Sequence, residues 1–389
     1  MFHIKTMNKI SALGLAELPR DRFAVADDFD DEDGILVRSA KLHDYEFPPE
    51  LRAIARAGAG TNNIPIGRCS EAGIVVFNTP GANANAVKEL VLCAMLIASR
   101  DIAGGLQWVK DQAASGVEVS EVVEKGKAAF VGPEIYKKTL GIIGLGAIGA
   151  LVGNVALSMG MEVYGYDPYL SVANALRLDR HIHVVKSAQE VYQHADYLTI
   201  HVPYNDATKD TIDTAALAQM KDGVRIINLA RGELVNDDAI LAAIAGGKVA
   251  RYVTDFPTNR LVQAEGVVCL PHLGASTPES EDNCAVMAAQ ELQDYLENGN
   301  IMNSVNLPTL VQEWSGTARI CVIHRNIPGT IASITKVLSD QKVNVENMTN
   351  KSKGEYAYTV VDIATQVSDA ELDAIRGIEG VLRVRYLTH

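Results

Sequence analysis

Short apolar runs alternate with longer amphipathic stretches along most of the chain. Runs at residues 34–39, 51–62, 73–81, 140–149, 161–167, 195–203, 223–231, 249–255 and 266–272 are strand candidates, each ending in glycine, proline or polar residues. Helical patterns lie between them, which predicts an α/β architecture of doubly wound parallel sheets with ligand-binding residues at the carboxyl ends of the strands. Residues 86–102 form a long, mostly apolar helical pattern, suited to a buried connecting helix or a subunit interface. Residues 107–138 are more polar and leave their elements open.

The pattern changes near the C-terminus. Residues 298–315 are polar, carry Pro308 and lack a period, as a linker would. Beyond them come a strand at 320–323, a helix at 329–341, strands at 344–350 and 356–363, a helix at 369–378 and a last strand at 381–387. The order βαββαβ predicts a ferredoxin-like module. The expected domains are 1–90, completed by 285–305; a nucleotide domain at 91–284; a linker at 306–318; and the module at 319–389.

The most informative stretch is Leu140-Gly-Ile-Ile-Gly-Leu-Gly-Ala-Ile-Gly149. Gly144 permits a tight turn out of a strand, Gly146 lets backbone approach a pyrophosphate, and Gly149 lets the next helix pack close. The helix N-terminus then faces the phosphates with its amides and dipole. Asp167 ends the next apolar run, 18 residues beyond Gly149, where an acid meets a ribose 2′-hydroxyl. A carboxylate there repels a 2′-phosphate, and no Arg follows in Asp167-Pro-Tyr-Leu. NAD is favoured over NADP.

Composition narrows the class. The formal charge of −13 over 389 residues argues against nucleic-acid or anionic-membrane surfaces, which need basic patches. Five scattered cysteines without a C-x-x-C fit a reduced compartment. No apolar run approaches the ~18 residues of a membrane span, and the start carries no apolar signal core, so a cytoplasmic protein is expected. The acidic run at 27–33 reads as a solvated turn, and no metal site is expected.

Gly144-Leu-Gly-Ala-Ile-Gly149, Ile226-Ile-Asn-Leu-Ala-Arg-Gly-Glu233, Pro271-His-Leu-Gly-Ala-Ser-Thr277 and Ile323-His-Arg-Asn-Ile-Pro-Gly329 together resemble the D-2-hydroxyacid dehydrogenase family, in its branch with a C-terminal ACT domain. The resemblance covers nearly the whole chain. It implies that Arg231 holds the substrate carboxylate and carbonyl and that His272 is the acid/base. The chemistry agrees: removing hydride from a carbinol carbon requires a base for the hydroxyl proton, and a guanidinium fork suits a 2-hydroxy carboxylate. Cofactor contacts are implied for Gly144, Gly146, Ala147, Ile148, Gly149, Asp167, Val202, Pro203, Leu229, Ala230, Asp255 and Gly274. Substrate contacts are implied for Arg38 and Ser39, near a phosphate, and for the loop residues Gly60, Thr61 and Asn62. Lys41 is a further cation candidate for that phosphate. His324, Asn326 and Asn344 align with effector positions, with L-serine as the implied effector.

The implied reaction is NAD-dependent oxidation of 3-phospho-D-glycerate to 3-phosphohydroxypyruvate, by a homodimer or homotetramer. Two alternatives stay open: reduction of glyoxylate, hydroxypyruvate or 2-oxoglutarate by the same fold, and a non-catalytic NAD(H)-sensing protein. One departure bears on both. Family members carry a Glu that pairs with the His, and here Asn259 or Arg260 stands near its place. Glu265 is one candidate partner, and the position remains unassigned.

Overall fold

A computed structural model describes residues 1–388, and contacts divide the chain into two units, 1–83 with 278–388, and 84–277. The boundaries read from sequence, 90/91 and 284/285, fall inside helices instead.

The first unit opens with β1 (Phe2–Met7), α1 (Ala12–Ala16), β2 (Phe23–Ala26), β3 (Gly34–Val37), β4 (Ala53–Arg56), α2 (Ile66–Glu71) and β5 (Val75–Asn78). The strands form a parallel sheet in the order β2-β1-β3-β4-β5. β3 is buried along its whole length because both faces are covered, as parallel sheets require.

The second unit begins with α3 (Ala84–Ser99), the long helix expected there, followed by α4 (Ile102–Ala114) and α5 (Val119–Gly126), which occupy much of the stretch left open in the sequence. There follow β6 (Thr139–Ile143), α6 (Ala147–Ser158), β7 (Glu162–Tyr166), α7 (Val172–Ala175), β8 (His183–Val184), α8 (Ala188–His194) and β9 (Tyr197–Ile200). α9 (Thr214–Gln219), β10 (Val224–Asn228), α10 (Asp237–Ala245), β11 (Val249–Thr254), α11 (Asn259–Val262) and β12 (Val267–Cys269) complete it. All seven strands are parallel, in the order β12-β11-β10-β9-β6-β7-β8. The order reverses beside β6, the doubly wound switch point at which ligands bind.

The chain returns to the first unit through α12 (Pro278–Asn298), whose Ala285, Ala288, Ala289, Leu292, Tyr295 and Leu296 share a core with Ile4, Leu36, Ala53, Val75 and Phe77. β13 (Ala318–Arg325), α13 (Thr330–Asp340), β14 (Val345–Lys353), β15 (Tyr356–Ile363), α14 (Asp369–Arg376) and β16 (Val381–Thr388) then form an antiparallel sheet ordered β14-β15-β13-β16. This is the expected βαββαβ module. One face of its sheet packs on its own helices through Ile320, Val322, Ile334, Leu338, Val361 and Leu372. The opposite face contributes Cys321, Ile323, Tyr358 and Val360 to the core around α12. Arg385 extends the seam by donating to the carbonyls of Tyr295 (2.8 Å) and Leu296 (2.7 Å), capping the end of α12.

Two sequence expectations need correction. The stretch read as a linker is packed, with Leu307 and Leu310 buried. Val305 N–H donates to the Val76 carbonyl (2.9 Å), and Val76 N–H donates to the Asn306 side chain (2.9 Å). The segment thereby seals the free edge of β5, the kind of edge a sheet must otherwise protect. The acidic run is not simply solvated either. Glu32 is fully buried and accepts from the Tyr45 hydroxyl (2.6 Å), and Asp33 pairs with Arg52. Charges in a run can turn inward when each finds its own donor. Among the described residues no helix is long and apolar enough to cross a membrane.

Candidate active site

β6 delivers the glycine turn in the second unit. Gly144 has φ +94°, and a Cβ there would meet the His201 carbonyl oxygen at 2.6 Å. A Cβ on Gly149 would lie 2.0 Å from the Gly144 carbonyl oxygen, so helix and turn close on each other only without a side chain. Nothing lies within 4 Å of a Cβ built on Gly146. That open position faces the start of α6, which no side chain caps, so its first N–H groups are available to an anion. Ala147 and Ile148 form the first turn.

Asp167 follows β7 with its carboxylate fixed: Oδ2 accepts from Leu145 N–H (3.0 Å) and Oδ1 from Tyr169 N–H (2.8 Å). Each oxygen keeps a lone pair for a ribose hydroxyl. Val202 and Pro203 follow β9, and Leu229 and Ala230 follow β10, so these positions also stand at strand carboxyl ends. The residues present fit a dinucleotide.

Asp255, just past β11, is the second fixed acid. Its Oδ2 accepts from Gly274 N–H (3.0 Å), while Oδ1 is buried without a partner. Burial raises its pKa, against the hydrogen bond from Gly274 and the charges of His272 and Arg231, which lower it. An orphaned buried acceptor costs ~1–3 kcal/mol, so Oδ1 is suited to an N–H donor of a bound group.

His272 follows β12 with φ +47°, an uncommon conformation for a non-glycine residue. Its N–H donates to the Asp255 carbonyl (3.0 Å), and its ring lies 4.7 Å from that of Phe256. The imidazole is exposed. It borders a cavity of about 570 Å³ that Asp210, Glu233, Asp237 and Asp255 also line, with Tyr252 and Phe256 among its rings. Glu265 does not join them. It sits before β12, at the opposite end of that strand from His272.

Arg231 stands two residues beyond Leu229 on an extended backbone, exposed, with Nη1 donating to the Ala230 carbonyl (2.6 Å). Asn228, which sequence reasoning left out, braces this turn. Buried at the end of β10, it donates to the Arg231 carbonyl (2.8 Å) and accepts from Ala230 N–H (3.2 Å). The signal was a polar residue closing an apolar run. His201 was also passed over. Burial pushes its imidazole down to about 3, so it is neutral at physiological pH.

In the first unit, Arg38 and Ser39 follow β3. Arg38 pairs with Glu281 (2.5 Å), and Ser39 N–H donates to the Asn8 side chain (3.0 Å). Gly60, Thr61 and Asn62 lie in the loop after β4, steadied by Asn78 donating to the Ala59 carbonyl (2.6 Å). Lys41 is exposed in the turn beyond Ser39.

The three effector positions do not converge within one chain. His324 is buried at the end of β13, with Nδ1 against the Arg325 carbonyl (2.8 Å) and Nε2 against the Thr359 hydroxyl (2.9 Å). Asn326 is two residues on, donating to the Gly354 carbonyl (3.2 Å). Asn344 precedes β14, whose Val345 pairs across Ile363 with Ala318 at the start of β13. The length of β13 thus separates it from His324, roughly 20 Å at the rise of a strand.

Known proteins resemble this arrangement. Residues 92–274 match the family described as D-isomer specific 2-hydroxyacid dehydrogenase, NAD binding domain. The chain is 32% identical over 357 residues to D-3-phosphoglycerate dehydrogenase of Haemophilus influenzae, covering 88% of this chain and 82% of that one. It is 32% identical over 351 residues to D-3-phosphoglycerate dehydrogenase of Escherichia coli, covering 87% and 82%. Among solved structures, NAD+-bound 3-phosphoglycerate dehydrogenase of Entamoeba histolytica superposes with a TM-score of 0.61 at 25% identity, covering 79% of this chain and 99% of that one. A glyoxylate/hydroxypyruvate reductase of Sinorhizobium meliloti, TM-score 0.65 at 20% identity over 78% and 98%, shares the fold. With the glycine turn, the two fixed acids and these relatives in agreement, the chain belongs to the D-isomer-specific 2-hydroxyacid dehydrogenase family and is an NAD-dependent oxidoreductase.

Proposed function

We propose that this enzyme oxidises 3-phospho-D-glycerate to 3-phosphohydroxypyruvate in the cytoplasm, the first step of L-serine synthesis, and that L-serine inhibits it. The observation that carries the substrate is the likeness to D-3-phosphoglycerate dehydrogenases over most of the chain.

The roles follow from the side chains. His272 takes the C2 hydroxyl proton on its exposed imidazole, in the same loop whose Gly274 is tied to Asp255. Arg231 pairs with the substrate carboxylate and stabilises charge developing on the C2 oxygen. The glycine turn, the α6 N-terminus and Asp167 hold the dinucleotide, with Asp255 Oδ1 accepting from its amide end. Bound NAD supplies the acceptor for the hydride that leaves C2. Arg38, with Ser39 and the loop at Gly60, Thr61 and Asn62, takes the phosphate and carboxylate ends.

The C-terminal βαββαβ module supports an ACT-type regulatory role. His324 and Asn326 stand at one end of its sheet and Asn344 at the other. A serine site drawing on all three takes them from two copies of the chain, so the feedback reading carries a homo-oligomer with it.

One observation favours a second reading, an unphosphorylated 2-hydroxy acid: Arg38 is already paired with a carboxylate. Initial rates with NAD across 3-phospho-D-glycerate, D-glycerate, glycolate and D-2-hydroxyglutarate separate the two. The highest kcat/KM is expected for 3-phospho-D-glycerate, with a loss of rate on adding L-serine. A higher kcat/KM for any unphosphorylated acid overturns the substrate assignment.

A further inference from the structure

Arg38 does not present a free guanidinium. Its Nη2 lies 2.5 Å from Glu281 Oε1, and both side chains are nearly half exposed. The backbone just after it is pinned. The Arg38 carbonyl accepts from Arg56 Nε (3.0 Å), while Asn8 Oδ1 accepts from Ser39 N–H (3.0 Å) and Ala40 N–H (2.6 Å). Arg38 therefore leaves a fixed stretch of backbone with its guanidinium already engaged by Glu281. Glu281 is equally placed: it lies in the first turn of the 21-residue α12, where a helix N-terminus favours a carboxylate. The neighbouring Asp282 accepts from Ser11, which holds the start of that helix.

A phosphate dianion arriving at Arg38 meets this carboxylate within a few ångströms. It must share the guanidinium with Glu281 or displace it, and in either case two negative groups are brought together. An uncharged substrate end meets no such opposition. We propose that Glu281 is a specificity-determining residue, holding Arg38 and lowering the preference for a phosphorylated over an unphosphorylated 2-hydroxy acid. The inference rests on the reading of Arg38 as the phosphate contact. It makes the selectivity of the enzyme a balance between one cation and one anion on adjoining elements of the same unit.

The test compares Glu281→Gln, Glu281→Ser and Arg38→Gln with the unaltered enzyme, each first shown to bind NADH. The quantity read is kcat/KM for 3-phospho-D-glycerate divided by that for D-glycerate. Removing one negative charge from beside a dianion in a solvent-exposed site raises this ratio roughly tenfold. Both Glu281 variants should show the rise, and adding salt should shrink it as screening grows. Arg38→Gln should lower the ratio. If Arg38→Gln lowers it while both Glu281 variants stay within about twofold of the unaltered enzyme, or fall below it, the role of Glu281 is overturned and the phosphate contact stands. If Arg38→Gln leaves the ratio unchanged, the phosphate contact itself fails, and this inference with it.

Discussion

The backbone N–H of His272 donates to the carbonyl of Asp255 at 3.0 Å, and the Asp255 carboxylate reaches past it to Gly274 N–H at the same distance. One acid thus ties down the loop that presents the proposed base. Asp255→Ala leaves the Gly274 amide buried without an acceptor, at a cost of about 1–3 kcal/mol. Asp255→Asn keeps a side-chain oxygen there. Thermal unfolding should rank the unaltered enzyme and Asn above Ala, with kcat lowest for Ala. Equal stability of the two variants would contradict the tether.

Gly146 and Gly149 make opposite predictions within one turn. A methyl at Gly149 strikes the Gly144 carbonyl oxygen, so Gly149→Ala should lower Tm and weaken NADH binding together. A methyl at Gly146 meets open space in the protein, so Gly146→Ala should keep its Tm and lose NADH affinity alone. Calorimetry beside NADH fluorescence titration checks the split.

Glu291 carries a pH dependence of stability. Burial raises its carboxyl to about 8, against a single opposing hydrogen bond from Asn303. The folded chain therefore holds a proton that the unfolded chain releases above its ordinary value near 4.3. Stability contributed by this group falls as pH rises between those values, by up to about 1.4 kcal/mol per pH unit, and levels off above the folded value. Glu291→Gln should flatten that slope and be the more stable form at alkaline pH. Urea midpoints from pH 5 to 9 measure it, and parallel curves for the two proteins would refute it.

Arg319 and Asp362 are both fully buried and pair at 2.6 Å, with Arg319 also donating to the Asn298 (2.8 Å) and Gln312 (3.1 Å) carbonyls. Burial alone would raise the Asp362 carboxyl; hydrogen bonds from Arg319, Gln312 and Ser315 N–H outweigh it and hold the group below its usual range. That contribution is complete above the unfolded value and is lost as pH falls through the folded one. Arg319→Met strands the carboxylate and should cost about 3–5 kcal/mol. Denaturant unfolding would show it as a lower midpoint at unchanged slope.

The parallel sheets and the βαββαβ module were legible because apolar runs and turn residues are local signals. The glycine turn was legible for the same reason: its geometry is written in consecutive residues from Gly144 to Gly149. Contacts distant in sequence were not. Nothing near Arg38 announces Glu281, 243 positions away. The segment around Val305 and Asn306 lacks a period because it seals the edge of β5 through one backbone pair and one side chain, and a sealing segment needs no repeating face. The inward turn of Glu32 depends on Tyr45, a donor the acidic run itself does not contain. The separation of Asn344 from His324 appears only once β13, β14 and β15 are in register.

The proposed NAD-dependent oxidation of 3-phospho-D-glycerate rests on His272 taking the substrate proton. Its most direct test is NADH formation from NAD and 3-phospho-D-glycerate by the unaltered enzyme and by His272→Ala, with a carbonyl trap to draw the reaction forward. Turnover is expected from the unaltered enzyme, with a loss of roughly 10²–10⁴-fold in kcat for the variant and NADH binding retained. No NADH from the unaltered enzyme, or undiminished turnover by His272→Ala, would contradict it.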